Sequence, residues 1–372
     1  MLNVVLRVFW TLSLLALVGG LSSWWQLPAA QRSLTVTLAG TGQPGYSGDG
    51  AAATRALVNN PFGVVVGPDS ALYFCDTGNH VVRKVSRDGV ISTVAGSGKP
   101  GYSGDGHRAD RATLNEPYEV RFDRQGHLYI VERLNHVVRF LDARTKVIRT
   151  LAGTGKPGFS GDGGPAVRAA MNEPHSIQLD GLGHLYICDI RNHRVRRVVL
   201  KTGIISTFAG TGEPGLTPDG GKIAGAPFNG PRALDFDRQG NLWLALREGN
   251  AVYKLDLKRG TVHHVAGTGA PGFSGNGGPA KLATLSGPKG LSVGPDGNVF
   301  LSDTESHSIR MIDVGRQTMD LVAGTGERGD GPDGDPKFCR MSRPHGVFAA
   351  SDGTIYVGDS ESHRVRVIRF TR

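Results

Sequence analysis

Residues 174–212 read PHSIQLDGLGHLYICDIRNHRVRRVVLKTGIISTFAGTG. Short runs of β-branched and aromatic residues alternate here with turns that contain Gly, Asp and Asn, a pattern typical of strands joined by tight turns. The pattern predicts four strands, over Ser176–Leu179, Leu185–Cys188, Arg194–Val199 and Ile204–Ala209. A repeated four-stranded meander of this length is typical of the blades of a β-propeller.

The same unit recurs along the chain in two independent registers, with a spacing of 56 or 57 residues. An AGTG-like segment begins at Ala39, Ala95, Ala152, Ala209, Ala266 and Ala323. A turn position is occupied by His80, His136, His193, Asn250, His307 and His363. First strands begin after Pro61, Pro117, Pro174, Pro231, Pro288 and Pro344. A fixed period of this length indicates a repeat architecture, so the sequence predicts an all-β fold, a six-bladed β-propeller.

The two ends of the repeat region complement each other. The last repeat ends with HRVRVIRF, residues 363–370, and lacks a fourth strand. Residues 33–40, SLTVTLAG, form an extra strand before the first repeat. Because an unpaired sheet edge promotes aggregation, we expect the N-terminal strand to complete the last blade and close the ring.

The motif LYxxDxxNHxVR resembles the NHL repeat, and the linked AGTGxPGxSGDGGPA segment is similar to that of teneurin-like and bacterial exported NHL proteins. The resemblance covers residues 34–372. It implies a propeller but no single function, because such propellers include protein-binding, RNA-binding and sensor modules, and related propellers include lyases and hydrolases.

The N-terminal segment is hydrophobic. Residues 1–25 read MLNVVLRVFWTLSLLALVGGLSSWW, with Arg7 ahead of an apolar run over residues 8–18. A basic start followed by an apolar run of this length is typical of a secretory signal peptide. Residues 6–25 are also long enough to span a bilayer as a helix. We therefore predict residues 1–30 as one hydrophobic helix, either a signal peptide or a signal anchor, and residues 31–372 as a propeller that is periplasmic, secreted or on the cell surface.

Composition restricts the partners. The net charge is +9, which favours anionic partners, but no basic stretch has interleaved aromatics, so nucleic-acid binding is not expected. The three cysteines lack disulfide-framework or zinc spacing, and Cys75 and Cys188 share one repeat position, which indicates small buried strand residues. We expect a monomer that contacts a membrane only through its N-terminal segment.

An acidic residue, a histidine and an arginine recur at fixed positions in five repeats. The sets are Asp76, His80 and Arg83; Glu132, His136 and Arg139; Asp189, His193 and Arg196; Asp303, His307 and Arg310; and Asp359, His363 and Arg366. We expect a structural, charge-assisted network that pins each hairpin. The fourth repeat carries Leu246, Asn250 and Tyr253 instead, as if the three partners were lost together.

A single carboxylate or amide recurs in the linkers between repeats. The position holds Asp49, Asp105, Asp162, Asp219, Asn276 and Asp333. Calcium takes six to eight oxygen ligands, so an Asx-type turn is the expected role. No cofactor is expected, with bound calcium or another divalent metal as the alternative.

The residues that flank each proline diverge between repeats and should surround the mouth of the central channel. The predicted ligand-binding residues are Tyr118, Glu119, His175, Arg232, Lys289 and His345. Glu116, Glu119 and Glu173 lie on one side, and Arg232, Lys289 and Arg343 lie on the other. This polarity suits a ligand with a carboxylate or phosphate, and a metal site at His175 and His345 is a second interpretation.

Three functions remain open from the sequence. The first is a binding module for a protein or a small anionic ligand, acting through the channel mouth and the top-face loops. The second is a propeller enzyme, a lyase or hydrolase, with its active site at the mouth, although the spacing reveals no nucleophile with a base and an orienting group. The third is a purely structural surface module.

Overall fold

The computed structural model describes residues 32–371, so the predicted N-terminal hydrophobic helix lies outside the described part of the chain. Within residues 32–371 there are 25 β-strands and eight 3₁₀ helices. The strands are β1 (Arg32–Ala39), β2 (Pro61–Val66), β3 (Leu72–Asp76), β4 (Val81–Val85), β5 (Ile91–Ala95), β6 (Pro117–Phe122), β7 (Leu128–Glu132), β8 (Val137–Leu141), β9 (Ile148–Ala152), β10 (Pro174–Leu179), β11 (His184–Asp189), β12 (Arg194–Val199), β13 (Ile204–Ala209), β14 (Pro231–Phe236), β15 (Leu242–Leu246), β16 (Ala251–Asp256), β17 (Thr261–Ala266), β18 (Gly278–Pro279), β19 (Pro288–Val293), β20 (Val299–Asp303), β21 (Ser308–Asp313), β22 (Thr318–Ala323), β23 (Gly346–Ala349), β24 (Ile355–Asp359) and β25 (Arg364–Thr371). The 3₁₀ helices are η1 (Ala53–Arg55), η2 (Thr77–Asn79), η3 (Ala109–Arg111), η4 (Ala166–Arg168), η5 (Ile190–Asn192), η6 (Ala280–Leu282), η7 (Thr304–Ser306) and η8 (Ser360–Ser362).

The strands form six antiparallel sheets, and each sheet is one blade. The strand orders are β2-β3-β4-β5, β6-β7-β8-β9, β10-β11-β12-β13, β14-β15-β16-β17, β18-β22-β21-β20-β19 and β1-β25-β24-β23. The first strands of neighbouring blades touch in a closed circle, β2-β6-β10-β14-β19-β23 and back to β2. The predicted six-bladed propeller is therefore confirmed.

Strand β1 closes the ring as expected. It pairs antiparallel with β25, from Arg32 opposite Thr371 to Ala39 opposite Val365. The last blade thus takes its fourth strand from the start of the repeat region. In the third blade, β10 and β11 are longer than predicted because Pro174 also pairs with Asp189.

The hydrophobic core lies between adjacent blades. One cluster joins Tyr73 and Cys75 of the first blade to Val120 and Ile130 of the second, and equivalent clusters follow around the ring. Cys75 and Cys188 are fully buried free thiols. Among residues 32–371, no helix is long and apolar enough to cross a bilayer.

The linkers are ordered and cover the outer edge of each blade. Ala52 of the first linker bridges to Val90 beside β5, and its backbone continues into helix η1. Each later linker makes an equivalent bridge to the outermost strand of its own blade. Because unpaired edges invite pairing with other chains, this arrangement protects all six blades.

A fully buried arginine joins the strands of a blade to its linker. Arg83 contacts Asp76 at 3.2 Å and the linker residue Asp49 at 2.6 Å. The second oxygen of Asp49 accepts the Thr93 backbone N–H at 3.0 Å. Equivalent contacts, with Asn276 as the linker residue in the fifth blade, surround Arg139, Arg196, Arg310 and Arg366. The Asx-turn expectation was therefore wrong for Asp49, whose carboxylate clamps the linker onto β4 and β5.

The turn histidine lies outside this ion-pair network. His80 Nδ1 accepts the backbone N–H of Glu116 in the next blade, at 3.3 Å. Four other blades make the same contact at 3.0–3.3 Å, through His136, His193, His307 and His363. In the fourth blade, Asn250 Oδ1 accepts the Gly287 N–H at 2.9 Å. The histidine is thus an inter-blade acceptor, and asparagine keeps that role where the ion pair has been lost.

Candidate functional site

The residue before each strand-opening proline has a left-handed backbone. The φ angles of these residues are between 48° and 68°, at Asn60, Glu116, Glu173, Gly230, Gly287 and Arg343. Their N–H groups are the ones that bond to the turn histidines or to Asn250. Each blade therefore fixes the start of the next innermost strand, and with it the side chain that follows the proline.

Five of the six predicted ligand-binding residues line one cavity of about 290 Å³. They are Tyr118, His175, Arg232, Lys289 and His345. The other lining residues are Asn60, Phe62, Arg133, Glu173, Arg191, Arg247, Arg343 and Glu361. Since every blade contributes at least one of these side chains, the cavity is the mouth of the central channel. Their role in binding a ligand remains a prediction.

Glu119, the sixth predicted residue, is not part of the cavity wall. It is buried and forms an ion pair with Arg121 on the same strand. Burial raises the pKa of the Glu119 carboxyl, and the nearby arginines oppose that shift. Gln178 and Asp235 occupy the position of Arg121 in the next two blades, and Gln178 donates a hydrogen bond to Asp235 at 2.6 Å. These side chains form a separate polar layer.

An aromatic arc follows four blades around the mouth. His345 stacks on Phe62 with ring centroids 3.9 Å apart and an interplanar angle of 10°. Phe62 meets Tyr118 edge to face at 4.5 Å, and Tyr118 meets His175 in the same way at 4.7 Å. His175 and His345 therefore lie at the two ends of the arc. Among residues 32–371, no three His, Cys, Asp or Glu side chains are grouped to hold a metal ion.

The predicted acidic and basic halves of the mouth are neutralised by other side chains. On the acidic side, Arg133 contacts Glu116 at 2.6 Å and Glu173 at 3.1 Å. On the basic side, Glu305 lies 2.7 Å from both Lys289 and Arg343. Arg343 also contacts Glu361, Arg191 contacts Glu173, and Arg247 contacts Glu248. The polarity expected from the sequence is therefore cancelled by ion pairs.

Arg232 is the exception among the cations that line the cavity. Its side chain is only 3% exposed, and within residues 32–371 it has neither a hydrogen bond nor an ion pair, whereas the other five cations each contact a carboxylate. Its guanidinium lies 5.3 Å from the ring centroid of Tyr118, two blades away. Burial lowers the pKa of Arg232. Glu119 acts on Arg232 through space and opposes that shift, but among residues 32–371 no carboxylate contacts this nearly buried positive charge.

The two histidines of the cavity are neutral hydrogen-bonding groups. His175 Nδ1 donates to the Glu173 carbonyl at 2.6 Å, and His345 Nδ1 donates to the Arg343 carbonyl at 2.8 Å. Burial holds the pKa of both far below the usual range, and the nearby cations Arg232 and Lys289 act in the same direction. Since the proton is on Nδ1, each Nε2 presents a lone pair.

Lys289 is the most easily discharged cation of the wall. Burial lowers its pKa to about 8, although the hydrogen bond to Glu305 opposes the shift. At neutral pH the ammonium group is therefore mostly charged and can attract an anion together with Arg232.

Sequence reasoning missed the charged residues that follow the second strand of each blade. Arg133, Arg191, Arg247, Glu305 and Glu361 occupy the first or second position of that turn. The residue types at these positions differ between the repeats. The same divergence predicted the binding residues after the proline, so it could also have identified these charged residues. The regularly spaced histidine belongs to the constant part of the same turn, whereas these charged residues belong to its variable part.

Comparisons with known proteins agree with this architecture. The family model of the NHL repeat matches residues 341–368. The Arabidopsis thaliana protein SUPPRESSOR OF QUENCHING 1, chloroplastic, is 27% identical over 290 residues, which cover 75% of this chain and 27% of that protein. The Gallus gallus NHL repeat-containing protein 2 is 27% identical over 284 residues, which cover 68% of this chain and 38% of that protein. The chain thus spans well under half the length of these relatives.

A solved structure with the same fold is an auxiliary nutrient binding protein from Bacteroides thetaiotaomicron. Its TM-score is 0.65 at 16% identity, with 92% of this chain and 77% of that chain covered. The fold and the channel-mouth cavity define a six-bladed propeller with a potential ligand site on its axis. The matched repeat and these relatives support the similarity of the chain to the NHL-repeat β-propellers.

Proposed function

We propose that this propeller is an extracytoplasmic binding module whose channel mouth takes a small anionic ligand. The observation that carries the proposal is the unpaired guanidinium of Arg232, a residue that is only 3% exposed and lines a cavity of about 290 Å³. A buried charge without a partner is costly for the folded state. In a binding site, a bound anion can offset this cost, because it forms charge-assisted hydrogen bonds with the guanidinium.

The size of the cavity supports a small ligand rather than a peptide segment. Its volume lies at the lower end of the range for small-molecule sites, which is about 300–1,000 Å³. The Bacteroides propeller with this fold is described as a nutrient binding protein, which is compatible with a binding role. A protein partner bound through the loops between the strands would contact a surface other than this cavity.

We predict that Arg232→Met weakens anion binding without weakening the fold. The loss of a charge-assisted hydrogen bond of about 1.5–3 kcal/mol corresponds to a rise in Kd of roughly 10- to 100-fold. The free energy of unfolding of the ligand-free protein should be unchanged or higher, because an unpaired buried charge has been removed. Calorimetric titration with small carboxylates and phosphate, together with urea unfolding, measures both effects.

Two arginine variants serve as controls. Arg139 is equally buried but is paired with Glu132 at 2.7 Å and Asp105 at 2.6 Å, so Arg139→Met should destabilise the fold by about 3–5 kcal/mol. Arg259, whose side chain is 80% exposed, should be dispensable for binding. If Arg232→Met behaves like Arg139→Met, Arg232 is structural and the proposed site is wrong.

The alternative is an enzyme, a lyase or hydrolase, at the same mouth. The observation in its favour is that His175 and His345 are neutral and line the cavity with Arg232, since a neutral imidazole can act as a general base. Ligand-observed NMR during the titrations separates the two functions. A ligand that is converted with time, and not only bound, indicates an enzyme.

The proposed extracytoplasmic location rests on the hydrophobic segment at residues 1–30. We expect cell fractionation to place the full chain outside the cytoplasm, in the periplasm, the membrane or the medium, and deletion of residues 1–30 to retain it in the cytoplasm. N-terminal sequencing of the exported protein then distinguishes a cleaved signal from an anchor. Recovery of the full chain from the cytoplasm would contradict this location.

A further inference from the structure

The two histidines restrict the ligand more than the charges do. Each Nδ1 donates its proton to a backbone carbonyl, at 2.6 Å for His175 and 2.8 Å for His345. Within residues 32–371 each Nε2 has no hydrogen-bond partner, yet neither atom is sealed from solvent. His175 is only 5% exposed and His345 only 7% exposed. Because both residues line the cavity, the solvent that reaches each Nε2 is the solvent inside the cavity.

A lone pair at Nε2 selects for a donor on the ligand. A carboxylate only accepts hydrogen bonds, so it cannot bind to either Nε2 and is directed to the cations instead. His175 and Arg232 follow the proline in two neighbouring blades, as do Lys289 and His345, and all four side chains line the cavity, so each histidine has a cation in the next blade. The wall therefore places the unpaired cation Arg232 next to the acceptor of His175, and the cation Lys289, which is paired with Glu305, next to the acceptor of His345.

The donor is a hydroxyl group rather than an ammonium group. Six cationic side chains line the cavity, and Arg232 among them has no carboxylate partner. A ligand ammonium would meet this excess positive charge, whereas a hydroxyl carries no charge. Phe62 contributes the one wholly apolar side chain among the described lining residues, so the wall is also unsuited to a long hydrocarbon chain.

We propose that the channel mouth recognises a small hydroxy acid, whose carboxylate binds Arg232 and whose neighbouring hydroxyl donates to Nε2 of His175 or His345. This inference rests on the proposed anion site and names the ligand class for it. His175 and His345 then determine the specificity for a hydroxyl group. Arg232 attracts any small anion electrostatically.

The test compares pairs of acids that differ only in their hydroxyl groups, with the full-length protein. Tartrate is paired with succinate and glycerate with propionate, while inorganic sulfate supplies an anion without hydroxyl donors and glycerol supplies hydroxyls without charge. We expect each hydroxy acid to bind at least about tenfold more tightly than its deoxy partner, the effect of one well-made hydrogen bond. Equal affinities within both pairs would overturn the inference.

The blades themselves suggest the variants. Phe62 occupies in the first blade the position of His175 and His345, so His175→Phe and His345→Phe should be tolerated by the fold. The double Phe variant should reduce tartrate affinity to that of succinate and leave succinate unchanged. His175→Gln and His345→Gln keep an acceptor near the Nε2 position and should retain the preference for tartrate. If the double Phe variant lost affinity for tartrate and for succinate equally, a hydroxyl-specific role of the histidines would be contradicted.

The failure of this inference is distinguishable from the failure of the proposed function. If succinate and sulfate bind, if their binding depends on Arg232 and if their affinities match that of tartrate, the anion site stands and the hydroxy-acid assignment is wrong. If no acid in the series binds, or if binding does not depend on Arg232, both are wrong. If glycerol alone binds as well as glycerate, the anion site is not used.

Discussion

A chain that lacks residues 34–41 should fail to give a stable monomer, because β25 would keep β24 on one side but lose its pairing with β1 from Leu34 to Ala39 on the other. Strand β1 pairs with β25 from Arg32 to Ala39, and Thr35 and Ala39 are fully buried. Asp333 also loses the Thr37 N–H that it accepts at 2.8 Å. An open, hydrophobic strand edge promotes association with other chains, so size-exclusion chromatography should show aggregates, and thermal melts should lack the cooperative transition of the intact chain.

Two further variants of the chain distinguish the effect of ring closure from the effect of losing these residues. Removal of residues 1–31 leaves β1 intact and should preserve a cooperative transition. Arg32 and Thr371 are partners in the β1–β25 register, so residues 32–41 moved behind residue 371 through a short turn should restore the fourth strand and the monomer. A deletion of residues 34–41 that stays monomeric and keeps its melting temperature would show that β1 does not close the ring.

Asp189→Leu should lower the free energy of unfolding by about 3–5 kcal/mol, the range for breaking a buried ion pair from one side. Asp189 accepts the Asn172 N–H at 2.7 Å and the Asn192 amide at 2.8 Å, and it lies 3.4 Å from the fully buried Arg196. The leucine variant leaves the Asn172 N–H without an acceptor and removes one of the acceptors of Asn192 and of Arg196. Asp162 still contacts Arg196 at 2.7 Å, but it cannot replace the contacts inside the blade.

The fourth blade shows how the loss can be repaired. It carries Leu246 and Tyr253 at the positions of Asp189 and Arg196, and the Tyr253 hydroxyl donates to the linker carbonyl of Thr217 at 3.4 Å. The double variant Asp189→Leu/Arg196→Tyr should therefore recover at least half of the loss, as measured by urea unfolding. A double variant that is as unstable as the sum of both single variants would contradict the interpretation that these residues act as one pair.

The fourth blade also shows that the hydrogen bond of the turn residue does not depend on the buried acid–arginine ion pair. Asn250 retains the inter-blade hydrogen bond at 2.9 Å in a blade without the pair, because an amide oxygen accepts the N–H as the Nδ1 lone pair does. Stability within a blade and attachment between blades are thus carried by different side chains of one repeat.

The sequence by itself determined the architecture. Strand alternation, turn residues and a period of 56 or 57 residues are local properties of each repeat, so they could be read without knowledge of neighbouring blades. The missing fourth strand of the last repeat predicted the closure by β1 for the same reason. The position of Tyr118, His175, Arg232, Lys289 and His345 around one axis followed from the symmetry of the ring.

Only the tertiary structure decided which groups at the mouth are paired. Glu116 and Glu173 are neutralised by Arg133, Glu119 pairs with Arg121 outside the cavity wall, and Arg232 is left alone. Such partnerships depend on a few ångströms between side chains, whether the two residues share one strand, as Glu119 and Arg121 do, or lie in neighbouring blades, as Arg133 and Glu173 do. Hydrophobic periodicity fixes which face of a strand is buried, but it carries no information about which neighbour a long charged side chain reaches.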